Sequence, residues 1–376
     1  MLGTATVRFT HWERCVPVMT TFDIAFIGTG ADPDEPSVDG FAMAYRHAEA
    51  YAQLGDCRLV GCADIVAENA TAFAEEFGIP AEGEFTDYEE MLAALEPDIV
   101  SICTPPATHA DLVIGTAESG VVDAIHCEKP MSLTWGGSRR MAETCEREGV
   151  QLTFNHMRRF GDPFRVAKQR LDDGVIGDLR SIEYSWGNFF DNGTHAVDMC
   201  NYFNDEYGAK WVIGQLDYQE EDIRFGTHNE NQVLACWEYD NGVYGRAATG
   251  PAADIAESDW HLVGSDGFMD VHLTEKLAVN VYSTDSDACE ELTFEEMAPG
   301  TTCIDRAIED IVDALDSGRR SELDAKNALN ATEIIFAGYE SARRRGRVDL
   351  PLDIDDNPLE SMVADGQLSP ASSSSD

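Results

Sequence analysis

The sequence is poor in basic residues, and lysine is the scarcest of them. It has 26 lysines and arginines, five of them lysines, against 70 aspartates and glutamates, so the formal net charge is −44. Such self-repulsion destabilises a compact state in dilute buffer, whereas molar salt screens it because the Debye length falls to about 3 Å. We therefore expect a protein adapted to a salt-rich cytoplasm, as in halophilic microbes, with no nucleic-acid partner. An acidic face for a basic partner is the weaker alternative, because the acids are spread along the whole chain.

Long apolar runs and paired cysteines are also missing. No stretch approaches the roughly 18 consecutive apolar residues of a membrane helix, and residues 1–21 lack the apolar segment of a signal peptide. Met19 stands directly before the first predicted strand and is an alternative start. The ten cysteines include no CxxC pair, which indicates reduced thiols and no metal site. These absences predict a cytoplasmic protein without a membrane partner.

The first 150 residues alternate between short apolar runs and helical periodicity. A chain of 376 residues exceeds the usual size of one hydrophobic core, so we expect two domains. Apolar runs predict strands at 22–28, 58–64, 98–104 and 124–128. Helical spacing of apolar residues predicts helices at 42–54, 67–77, 88–95 and 109–118. This alternation is typical of βαβ units, so we expect an α/β Rossmann domain with a doubly wound parallel sheet over residues 20–152.

Beyond residue 150 the rhythm changes to strands joined by short turns. Strand-like segments lie at 180–187, 211–218, 232–239, 243–249, 260–264 and 268–272. Asn241-Gly242 between two of them is a strong hairpin signal. We expect an α+β domain over residues 153–353, with a mostly antiparallel open sheet and helices near 303–316 and 325–343. A serine-rich tail over residues 354–376 is predicted to be disordered.

A glycine turn, Gly28-Thr29-Gly30, ends the first predicted strand. Glycine is favoured there because the pyrophosphate of a dinucleotide must approach the backbone at a helix N-terminus. Pro33 stands where a third glycine is expected, and residues 31–41 have the character of an insertion of roughly 11 residues. Without that insertion, Ala44 takes the third position of the motif.

Asp64 ends the second predicted strand. With the insertion removed, it falls at about the 20-residue spacing expected of the acid that binds the adenosine ribose hydroxyls. This placement favours NAD over NADP, although NADP remains an option. A plain turn aspartate after a strand is the alternative interpretation.

Two further loops follow predicted strands at the same edge of the sheet. Thr104-Pro105 ends the third strand, and His109 comes just after it. Glu128-Lys129 ends the fourth and places one of the five lysines at the predicted cofactor site. An ammonium group there could hold a substrate hydroxyl and stabilise developing alkoxide charge. An exposed salt-bridging lysine is the alternative.

Residues 191–198 supply candidates for acid–base chemistry. Apolar spacing predicts a helix that begins near Thr194, with Asp191 just before it, where the carboxylate could cap the helix or face His195. Asp198 falls one turn after His195. We expect the two carboxylates to raise the pKa of His195 and to suit it to proton transfer near neutral pH. A structural histidine is the alternative.

Together these segments resemble the Gfo/Idh/MocA oxidoreductases, a family that includes glucose-fructose oxidoreductase and inositol 2-dehydrogenase. The motifs that carry the resemblance are GTG (28–30), TPPATH (104–109), EKP (128–130), MRRF (157–160) and DNGTHAVD (191–198). The resemblance covers roughly residues 22–350. It implies that Lys129 contacts the nicotinamide ribose and the substrate, and that His195 is the base. It further implies that Asp191 binds substrate or supports the base, that Arg158 binds substrate, and that the Lys129–Pro130 bond is cis.

The resemblance implies an NAD(P)-dependent dehydrogenase that oxidises a hydroxyl of a sugar or polyol. The predicted catalytic residues are Lys129, His195 and Asp191. The predicted cofactor contacts are Gly28, Thr29, Gly30, Asp64, Ile65, Thr104, Pro105, His109, Glu128 and Lys129. Two alternatives are a regulator that binds NAD(P) and sugar without turnover, and a relative that cleaves glycosides with tightly held NAD. Members of the family usually pair through the open sheet, so a homodimer or homotetramer is expected.

Overall fold

A computed structural model describes residues 21–31, 42–274, 276–284 and 289–371. The alternative start Met19, Pro33 and nearly all of the predicted insertion lie outside the described residues. No helix within the described ranges is long and apolar enough to cross a membrane.

The first domain contains a six-stranded parallel sheet, in the order β3-β2-β1-β4-β5-β6. Its strands are β1 (Phe22–Ile27), β2 (Cys57–Ala63), β3 (Glu84–Phe85), β4 (Ile99–Ile102), β5 (Ala124–Cys127) and β6 (Gln151–Phe154). Its helices are α1 (Met43–Gln53), α2 (Ala67–Phe77), α3 (Tyr88–Leu95), α4 (Pro106–Glu118) and α5 (Trp135–Glu148). The predicted α/β Rossmann fold is therefore confirmed.

The strand order creates a switch point between β1 and β4. The chain moves outward from β1 to β2 and β3, then returns to β4 on the other side of β1. In such sheets the crevice outside the carboxyl ends of the strands at this point is the usual ligand site. The turn at Gly28 and the loop at Thr104 lie at this crevice.

The second domain is built on a nine-stranded sheet, in the order β16-β15-β14-β13-β7-β12-β11-β8-β17. Its strands are β7 (Leu179–Tyr184), β8 (Ala209–Asp217), β11 (Gln232–Tyr239), β12 (Tyr244–Ala248), β13 (Trp260–Gly264), β14 (Gly267–His272), β15 (Leu277–Ser283), β16 (Glu290–Phe294) and β17 (Val348–Asp349). A separate two-stranded hairpin consists of β9 (Ile223–Arg224) and β10 (Thr227–His228). Among the described strands of this sheet only β7 and β12 pair in parallel, which confirms a mostly antiparallel sheet. The predicted hairpin joins β11 and β12 at Asn241-Gly242.

Helices cover one face of this sheet. They are α6 (Asp162–Asp172), α7 (Gly193–Phe203) and α9 (Ala325–Arg344). The two other helices described in this part of the chain are α8 (Cys303–Ser317) and α10 (Pro358–Ala364). The other face presents Ile213, Leu234 and Tyr244, whose exposed fractions are 47%, 52% and 43%. The open sheet of the prediction therefore has an uncovered, partly apolar face.

Helix α8 returns to the first domain. Its buried residues Ile308 and Val312 join a core formed by Phe26 of β1, Tyr45 of α1 and Phe73 of α2. Residues beyond 300 therefore complete part of the core of the first domain. The predicted boundaries at 152 and 353 stay predictions, although β6 extends the first sheet to Phe154.

The predicted disorder from residue 354 is wrong for residues 354–371. Asn357 caps α10 by accepting hydrogen bonds from the backbone of Leu359 (3.0 Å) and Glu360 (3.4 Å). Leu359 and Met362 are buried in the core of the second domain. Two buried apolar side chains and a helix cap stabilise this segment. The serine-rich composition of the last residues therefore does not predict the structure of residues 354–371.

Candidate active site at the domain boundary

The glycine turn is packed tightly against the Thr104 loop. Gly28 has φ +80°, and a Cβ there would lie 2.4 Å from Cγ2 of Thr104. Gly30 has φ +69°, and a Cβ there would have no atom of the described residues within 4 Å. One glycine therefore serves close packing of two loops, and the other leaves open space along the backbone. Both features fit a turn that lies against a dinucleotide pyrophosphate.

Asp64 holds this turn in place. Its Oδ2 accepts hydrogen bonds from the backbone of Thr29 (2.9 Å) and Gly30 (3.0 Å) and from Oγ1 of Thr29 (3.2 Å). Its Oδ1 accepts a hydrogen bond from the backbone of Val66 (2.9 Å). The neighbouring Ile65 is 93% exposed beside this carboxylate. A ribose contact through Asp64 stays a prediction, and it would require Oδ2 to be shared with the turn.

His109 differs from its predicted role as a cofactor contact. It is fully buried, with Nδ1 2.9 Å from the carbonyl oxygen of Pro130 and Nε2 2.8 Å from that of Thr104. Burial lowers its pKa, although the two carbonyl contacts oppose this effect. Both ring nitrogens are thus engaged by two loops, so His109 positions Thr104 and Lys129-Pro130 relative to each other.

Glu128 belongs to a buried polar cluster below the site. Its Oε1 lies 3.1 Å from Nε2 of His47 and accepts a hydrogen bond from Nδ2 of Asn155 at 2.7 Å. Its Oε2 accepts a hydrogen bond from the backbone of Lys129 (3.1 Å). Burial would raise the pKa of Glu128, but His47, Asn155 and Lys129 lower it to about 2. Glu128 is therefore ionised, and it fixes the backbone from which Lys129 extends.

Lys129 joins the two domains. Its peptide bond to Pro130 is cis, as the resemblance implies, and its Nζ lies 2.9 Å from Oδ1 of Asp191. Lys129 follows β5 of the first domain, whereas Asp191 precedes α7 of the second. The other oxygen of Asp191 lies 3.7 Å from Nη1 of Arg224, on the β9–β10 hairpin. One carboxylate thus receives two cations from two directions.

His195 lies in the first turn of α7, next to this pair. It is 6% exposed, and its Nδ1 is buried without a hydrogen-bond partner among the described residues. Burial, followed by the charges of Lys129 and Arg158, lowers its pKa well below the ordinary value of 6.5. The predicted upward shift is therefore wrong, because both aspartates have other partners. The ring is neutral at neutral pH, which is the form that accepts a proton.

Asp198 is fully committed to a buried ion cluster. Its oxygens accept hydrogen bonds from Nε (2.7 Å) and Nη2 (2.6 Å) of Arg159, and Nδ1 of His156 lies 3.2 Å from Oδ1. Arg159 also contacts Glu206 at 2.6 Å. Burial opposes ionisation of Asp198, but Arg159 and His156 hold its pKa well below its usual range. This carboxylate anchors α7 and is unavailable to His195.

His156 connects this cluster to the site. Its Nε2 lies 2.8 Å from Oγ1 of Thr194, and its ring meets that of His195 edge-on, with centroids 5.6 Å apart.

Arg158 is a half-buried basic residue at the site. Among the described lysines and arginines that make no ion pair, it is the one that is not exposed. Its guanidinium stacks on Trp186, 4.4 Å from the ring centroid, and its Nε is buried without a hydrogen-bond partner among the residues that the structure describes. Burial lowers its pKa. The substrate role of Arg158 stays a prediction. Its buried Nε, which could donate a hydrogen bond to a ligand, supports that prediction.

Two family models match this chain. The model of the oxidoreductase family with an NAD-binding Rossmann fold matches residues 22–156. The model of its C-terminal alpha/beta domain matches residues 180–350. The chain belongs to the Gfo/Idh/MocA oxidoreductase family. Its first domain is therefore the NAD-binding domain, as the resemblance implies.

Relatives in this family match along most of the chain. D-glucoside 3-dehydrogenase of Escherichia coli is 24% identical, over 87% of this chain and 97% of its own length. Inositol 2-dehydrogenase of Rhizobium meliloti is 25% identical, over 81% of this chain and 95% of its own length. A solved oxidoreductase from Agrobacterium radiobacter, in complex with NAD+, L-tartaric acid and magnesium, covers 88% of this chain and 98% of its own. Its TM-score is 0.72 at 17% identity, which shows a shared fold.

Some residues of the site in this Gfo/Idh/MocA protein escape sequence reasoning. Arg159 stands inside the MRRF motif and His156 directly before it, so their proximity to Arg158 was a usable signal. His47 and Arg224 lie on α1 and on a two-residue strand, and no local pattern distinguishes them. Within the described ranges, no group of three or more metal-ligating side chains is placed to hold a metal ion.

Proposed function

We propose that this protein is an NAD-dependent dehydrogenase that oxidises a hydroxyl group of a sugar, a polyol such as an inositol, or a sugar derivative. The observation that carries the proposal is the 2.9 Å contact of Lys129 with Asp191 across the domain boundary, beside a buried neutral His195. This combination supplies a cation, an acceptor and a base at the carboxyl edge of a nucleotide-binding sheet. D-glucoside 3-dehydrogenase and inositol 2-dehydrogenase, the relatives described above, support the substrate class.

The glycine turn, the Thr104-Pro105 loop and the Glu128-Lys129 loop would hold the cofactor, whose nicotinamide supplies the hydride acceptor when it is bound. Lys129 donates a hydrogen bond to the substrate hydroxyl and favours its ionisation through its positive charge. The neutral imidazole of His195 accepts the proton. Asp191 holds Lys129 in place and accepts a hydrogen bond from a neighbouring substrate hydroxyl.

Net production of NADH from a free sugar tests this proposal. A panel of sugars, inositols and nucleotide sugars, each with NAD and NADP in high salt, should give stoichiometric NADH with at least one compound. A regulator would bind without turnover, and a glycoside-cleaving relative would release sugar without net NADH. Either of those results would replace the dehydrogenase proposal.

Asp64 supports a preference for NAD. Its carboxylate should repel the 2′-phosphate of NADP, so NAD should give the higher kcat/KM. Asp64→Asn keeps an oxygen that can accept a hydrogen bond from the Thr29–Gly30 turn and removes the charge. It should therefore reduce the difference in kcat/KM between NAD and NADP, mainly by lowering KM for NADP. A wild-type preference for NADP would contradict this assignment.

The uncovered face of the second sheet supports self-association. Ile213, Leu234 and Tyr244 are large, exposed and on the face that no helix covers. We propose a homodimer or homotetramer that buries this face, and light scattering should show it. Leu234→Glu should shift the mass toward the monomer, whereas a monomeric wild type would contradict the proposal.

The composition supports the remaining proposals. The net charge of −44 supports a halophilic origin and opposes binding to nucleic acid or to an anionic membrane surface. The unpaired cysteines support a reducing, cytoplasmic location.

A further inference from the structure

Cys103 is a partly exposed thiol at the carboxyl end of β4. Its backbone N–H donates to the carbonyl oxygen of Ile27 at 2.9 Å, so it lies directly at the crevice between β1 and β4. It immediately precedes Thr104, which packs against the glycine turn. Because the residue stands at this crevice, a bulky group on its sulfur would displace the loop that packs against the glycine turn, where the cofactor is proposed to bind.

A buried histidine contacts this sulfur. Nδ1 of His47 lies 3.5 Å from Sγ of Cys103 and 2.8 Å from Oγ of Ser101. The same Ser101 oxygen lies 3.7 Å from Sγ. The Nδ1 proton of His47 is therefore shared between the serine and the thiol, with the serine as the closer partner.

Glu128 contacts that histidine from the other side of the ring. Its Oε1 lies 3.1 Å from Nε2 of His47, on the opposite side of the ring from Cys103. Burial would lower the pKa of His47, but Cys103 and Glu128 raise it to about 10. Cys103, His47 and Glu128 thus form a line of thiol, imidazolium and carboxylate. A cation beside a thiol stabilises the thiolate, which is the nucleophilic form.

Two other cysteines, Cys62 and Cys145, are buried. Burial raises the pKa of Cys62 and of Cys145 to about 12, which leaves both as inert thiols. Cys289 is exposed and therefore provides an internal reference for an accessible thiol outside this cluster.

We propose that Cys103 is a reactive thiol, a site of covalent modification by hydroperoxides and soft electrophiles, and that its modification excludes the nicotinamide cofactor. With hydrogen peroxide, the thiolate attacks one oxygen, so that an S–O bond forms and the O–O bond breaks. The sulfur is oxidised by two electrons to a sulfenic acid, and the second oxygen leaves as hydroxide and takes a proton to become water. The exclusion of cofactor rests on the proposed function, whereas the reactivity of the thiol does not.

Competitive alkylation measures that reactivity. The folded wild-type protein is treated with limiting iodoacetamide at neutral pH, and the labelled peptides are quantified over time by mass spectrometry. Cys103 should be labelled at least about tenfold faster than Cys289, although Cys289 is the more exposed. Labelling of Cys103 at or below the rate of Cys289 overturns the proposal.

Two variants with opposite expected effects on the labelling rate of Cys103 test the role of His47. Ser101→Ala removes the competing acceptor, leaves Nδ1 to Cys103 and should raise its labelling rate. His47→Gln removes the charge and should lower the rate toward that of Cys289, provided that circular dichroism shows a native fold. If His47→Gln fails to fold, the decision rests on the wild-type comparison and on Ser101→Ala. An unchanged or lower rate in Ser101→Ala contradicts the geometry.

Saturating NAD tests the second half of the proposal. NAD should slow labelling of Cys103 and leave Cys289 unaffected, and peroxide should abolish NAD binding until a thiol reductant restores it. Fast labelling of Cys103 that bound NAD does not slow overturns the exclusion of cofactor. A protein that fails to bind NAD in a direct titration overturns the proposed function, and in that case the labelling ratio still decides the reactivity of Cys103.

Discussion

His195 and Asp198 lie one helical turn apart on α7, yet they have opposite electrostatic surroundings. Asp198 accepts hydrogen bonds from Arg159 and contacts His156, so its charge is fully compensated. His195 has an Nδ1 without a hydrogen-bond partner in the described part of the chain, and two cations nearby. Spacing along a helix places residues on one face, but partners from other elements decide which of them stays free to react.

Lys129→Met should fold, bind NAD and lose most turnover. The loss of one group that stabilises developing charge should lower kcat by about 10²–10³. Steady-state kinetics with the best substrate and a fluorescence titration with NADH separate turnover from binding. Lys326→Met is the matched control, because Lys326 is exposed on α9 and makes no ion pair among the described residues. Near-normal kcat in Lys129→Met would remove this lysine from the mechanism.

The pH profile should identify His195 as the base. The pKa of a buried histidine beside two cations is lowered, so the neutral base is already present at neutral pH. For alcohol oxidation, kcat/KM should rise with pH through one ionisation below 6.5 and be level above it. His195→Asn should lose that limb and keep NAD binding.

The control for this profile is His261→Asn, since the side chain of His261 is 38% exposed, pairs with Asp270 and should leave the wild-type limb unchanged when it is replaced. A wild-type limb in His195→Asn would place the base elsewhere, with Lys129 as the next candidate.

The Arg159 cluster anchors α7 and the segment around His156. Arg159 is 2% exposed and bridges Asp198 and Glu206. Removing one partner of a buried ion pair leaves an uncompensated charge, which typically costs about 3–5 kcal/mol. Arg159→Met should therefore lower the free energy of unfolding by that amount.

Urea denaturation measures the effect, with Arg246→Met as the control. Arg246 pairs with Glu183 on the open face of the sheet, and its side chain is 58% exposed. Loss of such a surface pair should cost no more than about 1 kcal/mol. Equal destabilisation by both substitutions would show that the buried cluster has no special role in stability.

Sequence patterns predict part of this fold and miss the rest. Four strands of the first sheet and four of its five described helices follow from apolar runs and helical periodicity. The elements of this domain that were not predicted are α5, β6 and β3, and β3 has only two residues, too few to show a period. In the site, Lys129, Asp191 and His195 lie in local motifs and were found. Arg224 reaches Asp191 from a two-residue strand, and that contact exists only because the hairpin folds back over the site. The prediction of disorder for residues 354–371 was wrong, because it rested on the serine-rich end and ignored the two apolar side chains, Leu359 and Met362, that are buried in the core.

At the scale of the whole molecule, charge sets the conditions for stability. A net charge of −44 repels itself in dilute buffer, and potassium chloride at molar concentration shortens the Debye length to about 3 Å. We expect the Tm to rise steadily from dilute to molar potassium chloride. Differential scanning fluorimetry measures this directly, with sucrose series at low and high salt to separate charge screening from general solute exclusion. A Tm that does not respond to the salt would contradict adaptation to a salt-rich cytoplasm.

The ion pair between Lys129 and Asp191 is largely shielded from the medium that stabilises the surface. The side chains of Lys129 and Asp191 are 20% and 11% exposed, and His195 is nearly buried. Mobile ions screen buried charges much less than surface charges. A change in salt concentration should therefore alter the stability of the protein more than the proton affinity of His195.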